Sequence, residues 1–346
     1  MASALTFKIT YDGSVLTNSP DPVAITNAFG TAAQAFSDLF TNVATINIQV
    51  YWGPVGPFTG GIGLGRSQFQ LVGSTYSGIT NALRLHQASA ADTNAVASLP
   101  VTDPTGGGSW FVPLPEARVL GIYPSSNSVV DGQVGFATNV NYTFDPNNRS
   151  VAGRYDFIGV AEHELTEILG RANAGLDSGG LGYLPYDLFR FTNSGVRSLT
   201  VASATNAYFS VDNGVTALKF FYSNHLSGDI QDWKSSAIPD SFDAFVSSGH
   251  MNPMSTVDII SLDVLGYNGL SLQPPRLYAT KTNGNVQVRF VNSPGATFTV
   301  VASTSLAVRE TNWTVLGAPT ESPAGQFTFT DTTATNGFKF YSVRSP

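Results

Sequence analysis

Val160-Ala161-Glu162-His163-Glu164-Leu165-Thr166-Glu167-Ile168-Leu169-Gly170-Arg171 is the stretch on which the reading of this chain turns. The chain has only six glutamates and four histidines, and Glu162, Glu164 and Glu167 crowd around His163. Wound as a helix over 156–170, the stretch aligns Ile158, Ala161, Leu165 and Leu169 into one apolar stripe that needs a core. His163 and Glu167, four apart, then lie one turn apart on another face, with Glu164 on its flank. Two donors one turn apart converge on a single ion. A carboxylate directly after the first of them faces the ion's open position, where it takes a proton from a bound water. Gly170 closes the helix, because an αL glycine lets the chain turn back. Glu167 stands where the commoner His-Glu-x-x-His pattern has its second histidine; a carboxylate there still binds zinc but lowers the charge of the site. The purely structural alternative pairs Glu167 with Arg171 at i+4 and needs no ion.

Outward from this stretch, composition sets the frame. At 346 residues the chain is about twice a typical domain, so two domains are expected. Only 12% of residues are charged, and Gly, Ser, Thr, Asn and aromatics abound, which favours strands and turns. The absence of cysteine excludes disulfides, thiolate metal sites and a cysteine nucleophile. Residues 1–270 hold 21 acids against 11 bases, and the remainder 3 against 6 without clustering, so a nucleic-acid partner is not expected. No apolar run approaches the ~18 residues of a membrane span. Met1-Ala2-Ser3-Ala4-Leu5-Thr6-Phe7-Lys8 has no cationic segment leading into an apolar one. With five lysines and many Asn, Ser and Thr, the composition still leans towards a secreted protein whose leader is not part of this sequence.

Alternation predicts strands at 5–11 and 44–52, and 117–123 and 133–144 also read as strands; helical spacing predicts a helix from Asp21-Pro22 to Phe40, and 76–98 also reads as helical. Asp212-Asn213-Gly214 marks a hairpin within 207–223. Ser255 and Asp258 open a helix that Gly266 ends. Gln273-Pro274-Pro275 reads as a linker, and beyond it only short strands follow: 276–281, 285–291, 297–302, 312–316, 326–331 and 337–343. The expected fold is therefore α+β, with residues 1–271 a mixed sheet carrying the glutamate-rich helix and residues 272–346 an all-β sandwich of fibronectin or immunoglobulin type.

Apart from Met1, the only methionines are Met251 and Met254, in Gly249-His250-Met251-Asn252-Pro253-Met254-Ser255, directly before the capped helix. A Met-containing turn after the metal helix, followed by a C-terminal helix, resembles the metzincin branch of the zincin peptidases, in which the Met floors the metal. Residues 5–270 are similar to a family of secreted bacterial zincin-type metalloproteases that carries the His-Glu-x-x-Glu variant itself. The resemblance runs through Tyr155-Asp156-Phe157-Ile158-Gly159-Val160-Ala161-Glu162-His163-Glu164 to Leu169-Gly170-Arg171. It continues in Tyr186-Asp187-Leu188-Phe189-Arg190-Phe191, Tyr208-Phe209-Ser210 and Gly228-Asp229-Ile230-Gln231-Asp232-Trp233. It implies a zinc endopeptidase in which Glu167 belongs to the pattern.

The third ligand is open from spacing. The metzincin interval falls on Asn173, a poor zinc donor, so Asp187 is preferred, with His225, Asp229 and His250 as competitors. Asp187 reads otherwise as a helix cap or a partner of Arg190, and Asp229 and Asp232 are alternatives for a structural Ca2+, without the spacing of a full calcium loop. His86 reads as packing. The expected protein is thus a secreted, monomeric Zn2+ endopeptidase acting on protein or peptide. His163, Glu167 and Asp187 hold the ion, and Glu164 is the general base. The alternative is an inactive zincin-fold binding or adhesion protein. Glycoside hydrolysis is disfavoured because its paired carboxylates face each other across a cleft. A serine hydrolase is disfavoured because no Gly-x-Ser-x-Gly elbow is present.

Overall fold

A computed structural model describes residues 5–173, 182–200, 205–224, 226–236, 238–269, 277–282, 284–291, 298–308, 310–322, 326–334 and 338–344. The Gln-Pro-Pro segment 273–275 and His225 lie outside the described residues. Internal contacts divide the chain into a larger unit, Met1–Pro253 with Val257–Leu270, and a smaller one, Met254–Thr256 with Ser271–Pro346. The architecture is mixed α+β. No helix among the described residues is long and apolar enough to cross a membrane.

The larger unit begins with β1 (Thr6–Tyr11), α1 (Gly13–Asn18), α2 (Pro22–Leu39), β2 (Thr45–Trp52), β3 (Gly65–Phe69), β4 (Leu71–Ser74), α3 (Tyr76–Leu85) and α4 (Ala90–Ala97). It continues with β5 (Trp110–Pro113), α5 (Leu114–Val119), β6 (Gly132–Phe136), β7 (Tyr142–Thr143), β8 (Tyr155–Asp156) and α6 (Phe157–Leu169). Then come β9 (Arg190–Asn193), β10 (Val196–Arg197), β11 (Tyr208–Phe209), β12 (Lys219–Phe220) and α7 (Thr256–Asp263). The main sheet has the order β1-β2-β6-β3. β1, β2 and β6 run parallel, with α2 in the crossover between β1 and β2 that parallel neighbours require, while β3 lies antiparallel on the edge beside β6.

α2 starts as expected: Asp21 caps the Ala24 N–H, Pro22 fills the first turn, and Ala28, Ala32 and Phe36 are buried. Val23, at the entry of that pattern, is 68% exposed. The segment 76–98 divides into α3 and α4, because Ser89 opens a second helix with a capping box closed by Asp92. Residues 117–123 are not a strand. Pro113 and Pro115 start α5 instead, and Arg118 closes the turn behind it through Asp131 at 2.7 Å and the Pro124 carbonyl at 2.6 Å. The hairpin holds: β11 and β12 pair antiparallel, and Asn213 and Gly214 take the positive φ that such a turn demands.

α6 is buried on nearly every side; only His163 is partly open. Ile158, Ala161, Leu165 and Leu169 occupy the core stripe as expected. Trp52, Phe136, Tyr142 and Phe144 all pack on Phe157 at its start, with ring centroids 4.5–6.3 Å away. A Cβ at Gly132 of β6 would collide with Ile168, so the helix lies directly on the sheet.

In the smaller unit, β13 (Tyr278–Thr282), β14 (Asn285–Val291), β15 (Thr299–Ser303), β16 (Thr314–Gly317), β17 (Thr320–Glu321), β18 (Gln326–Asp331) and β19 (Phe340–Arg344) form two sheets, β13-β14-β18-β17 and β16-β15-β19. Phe290 and Phe327 from one and Val300 and Val343 from the other share a single core with Phe298.

Gly132→Ala tests the close seat of α6. It should destabilise the larger unit by about 1–3 kcal/mol, the cost of overpacking, read as a lower calorimetric Tm.

Candidate metal centre

α6 positions its charged residues because both ends are fixed. At the start, Arg149 bridges Asp156 at 2.8 Å and Glu162 at 3.2 Å and also donates to the Asn252 carbonyl at 3.2 Å. The Asn252 N–H donates to Asp156 at 2.9 Å, so the methionine-flanked turn is tied to the helix. At the end, Gly170 adopts φ 125°, in the left-handed half of the map that glycine tolerates.

Between these anchors His163 and Glu167 stand as the helical spacing places them, 3.6 Å apart from Nε2 to Oε1. The third group in reach is Asp232, whose Oδ1 lies 3.5 Å from His163 Nε2. One donor atom from each of His163, Glu167 and Asp232 falls within 4.8 Å of the others. His163 Nδ1 donates to the Ser241 carbonyl at 2.8 Å, which fixes the ring and turns Nε2 towards the two carboxylates. Glu167 is held in turn by Ser67 at 2.6 Å and Gln231 at 3.1 Å. These outer partners are what a metal ligand set requires to keep its geometry.

The electrostatics ask for a cation at this point. Burial alone would lower the His163 pKa, but Asp232 and Glu167, against the opposition of Arg171, bring it up to about 10. Burial alone would raise Glu167, yet the His163 hydrogen bond and charge and the nearby Arg171 hold it down at about 2. The pair thus stabilises a positive charge on the Nε2 side of the ring, and a proton or a metal ion meets the same demand.

Glu164 occupies the next helical position and is pushed well above its usual range, by burial first and by Glu167 second. It packs against edge strand β3 so closely that a Cβ at Gly65 would collide with its carboxylate. His163, Glu164, Glu167 and Asp232 line one open cleft of about 650 Å³ with Gly63, Gly65 and Arg66.

The structure does not bring Asp187 to this cluster. The 185–189 segment is a 3₁₀ turn, and Asp187 closes it, accepting from the Leu184 N–H at 2.9 Å. Burial raises Asp187 to about 7 despite that bond and Arg190. Asp229 sits exposed on the rim of the cleft, and His250 is exposed. Asn173 lines the cleft but donates to Gln231 at 2.8 Å. His86 bonds the Ala82 carbonyl within its own helix. Met251 and Met254 are not among the cleft-lining residues. Asp232 reaches the centre because its neighbour Trp233 is fully buried. Trp233 bridges Phe221 on one side and Asp243 on the other and donates to Asp258 at 2.6 Å. The local signal was an acid directly before a tryptophan in Gly228-Asp229-Ile230-Gln231-Asp232-Trp233.

Asp232→Asn should weaken zinc binding by more than the roughly 10–100-fold that loss of an outer-shell partner costs, whereas Asp187→Asn should leave one zinc per chain, both read by mass spectrometry after dialysis. Stripped of divalent ions, the protein should lose stability as pH rises from 6.5 to about 10. His163 binds its proton more tightly folded than unfolded, so its contribution is complete below the unfolded value and gone above the folded one. A flat Tm in that window for the stripped wild type, or the same slope in His163→Gln, would contradict the assignment. No protein-family model, curated protein or solved structure matches the chain, so the reading of this centre rests on its own geometry.

Proposed function

We propose that this chain is a secreted zincin-type metalloendopeptidase, with His163, Glu167 and Asp232 as zinc ligands and Glu164 as general base. The observation that carries the reading is the convergence of three donors beside a buried carboxylate in an open cleft. The donor chemistry fits a divalent ion: one imidazole nitrogen oriented by a backbone carbonyl, and two carboxylates each braced by a further partner. Zinc is favoured by the imidazole, with harder ions served by the carboxylates. A zinc ion held there would supply a Lewis acid for the scissile carbonyl and an acidified water.

The chain's own residues do the rest. Glu164 accepts a proton from the water that attacks the peptide carbonyl and returns it to the departing amine. Burial and the neighbouring Glu167 raise its pKa above the usual carboxylate range, which makes it a stronger base towards that water. The cleft, about 650 Å³ and open to solvent, admits an extended chain, and β3 presents Gly65 and Arg66 along its wall, with Gly63 just before the strand. The smaller unit, two antiparallel sheets on one core, supports a fibronectin- or immunoglobulin-type accessory domain.

Glu164→Gln is the decisive variant. It should retain one zinc per chain while cleavage of casein falls by at least about 100-fold, the range spanned by general acid–base catalysis. Full zinc with unchanged cleavage would remove Glu164 from the chemistry. A zinc-loaded wild type that cleaves nothing in a broad peptide library would support the binding-protein alternative.

A further inference from the structure

Arg171 is fully buried, and its guanidinium lies against the metal-binding residues themselves. Nη1 donates to Asp232 Oδ1 at 2.5 Å, and Nη2 stands 3.9 Å from Glu167 Oε1 and 3.4 Å from the His163 carbonyl. Nε donates to Thr166 at 2.9 Å, and the Phe242 ring covers the guanidinium at 4.5 Å. All three nitrogens are thus spent on ligand residues or their neighbours, in a pocket closed to solvent. Asp232, more than the helical partner Glu167, is its principal contact.

The formal charges give this placement a meaning. A neutral imidazole with two carboxylates would cancel a divalent ion completely, leaving an uncharged centre and a weak electrophile. A fixed cation behind the carboxylates restores one positive charge, which is the total of a site with two histidines and one carboxylate. Arg supplies it permanently, because its guanidinium is always charged and its fork reaches both Asp232 and Glu167.

We propose that Arg171 is a positioning residue that offsets the second carboxylate ligand: it holds Asp232 in place and keeps the loaded centre at a net charge of plus one. The proposal rests on the metallopeptidase reading above. It requires that the loaded centre attract anions through Arg171, and that the need for Arg171 vanish when one carboxylate ligand is replaced by histidine.

The experiment uses the full chain with Arg171→Met in the wild-type and Glu167→His backgrounds, and Arg171→Lys beside them. Zinc per chain is measured by mass spectrometry, and acetohydroxamate binding to the zinc-loaded proteins by calorimetry. In the wild-type background Arg171→Met should keep its zinc and bind acetohydroxamate about tenfold or more weakly, while Arg171→Lys, which keeps the charge, stays within about threefold of wild type. Glu167→His alone should bind acetohydroxamate more tightly than wild type, and adding Arg171→Met there should return the affinity to about the wild-type level. If Arg171→Met does not fold in the wild-type background, relief of carboxylate repulsion requires that it fold with Glu167→His. Unchanged acetohydroxamate affinity in Arg171→Met, a Glu167→His affinity no tighter than wild type, or misfolding in both backgrounds overturns the proposal. A wild type that takes up no zinc overturns the reading beneath it instead.

Discussion

Two carboxylates face one imidazole nitrogen inside a protein core, and everything around them exists to make that arrangement bearable. Unit charges about 4 Å apart interact by roughly 4 kcal/mol at the effective dielectric of a protein interior, so Glu167 and Asp232 would push each other apart if left alone. Arg171 behind them and a cation at His163 Nε2 turn the repulsion into attraction. The same charges explain why Glu167 is held low while Glu164, one turn earlier and without such a partner, is driven up. Neighbouring carboxylates are pushed in opposite directions here because burial and charged partners act on each of them differently.

Such a cluster demands a rigid support, and the fold provides it through apolar packing. α6 is wedged between the main sheet, where Gly132 leaves room for Ile168, and the turn at Asn252, where Gly159 leaves room for the backbone carbonyl. A ring of aromatics grips its first residue, and Arg149 ties its first turn to two loops. Each large side chain buried there contributes on the order of 1.5–3 kcal/mol, enough to hold ionised groups that would otherwise seek water. The opening is confined to one side, where edge strand β3 forms the wall of the cleft.

Where the sequence reading strayed, each case has its own physical cause. Residues 117–123 read as a strand, but Pro113 and Pro115 start a helix, and the buried ion pair of Arg118 with Asp131 closes the turn behind it. The helical pattern over 76–98 is real, yet the capping box at Ser89 breaks it in two. Asp187 lies twenty positions beyond Glu167 along the chain, and distance along a loop says little about distance in space. One of its carboxylate oxygens closes the turn that contains it, accepting from the Leu184 N–H.

What the sequence by itself determined is the part of the site that one helix generates. His163, Glu164 and Glu167 are related by a fixed rise and rotation per residue, so their mutual placement follows once Ile158, Ala161, Leu165 and Leu169 demand burial. The strands of the C-terminal segment were legible from its short apolar runs separated by turns. The third member of the cluster, the surroundings of Arg171 and the cleft wall were decided only by the tertiary structure. Asp232 arrives from a loop sixty-five positions beyond Glu167, carried there by the burial of Trp233. Arg171 reads from the sequence as a helical partner of Glu167, one turn away. Only the folded chain supplies the closer carboxylate that claims it, because contacts across the core are set by packing and not by helical geometry.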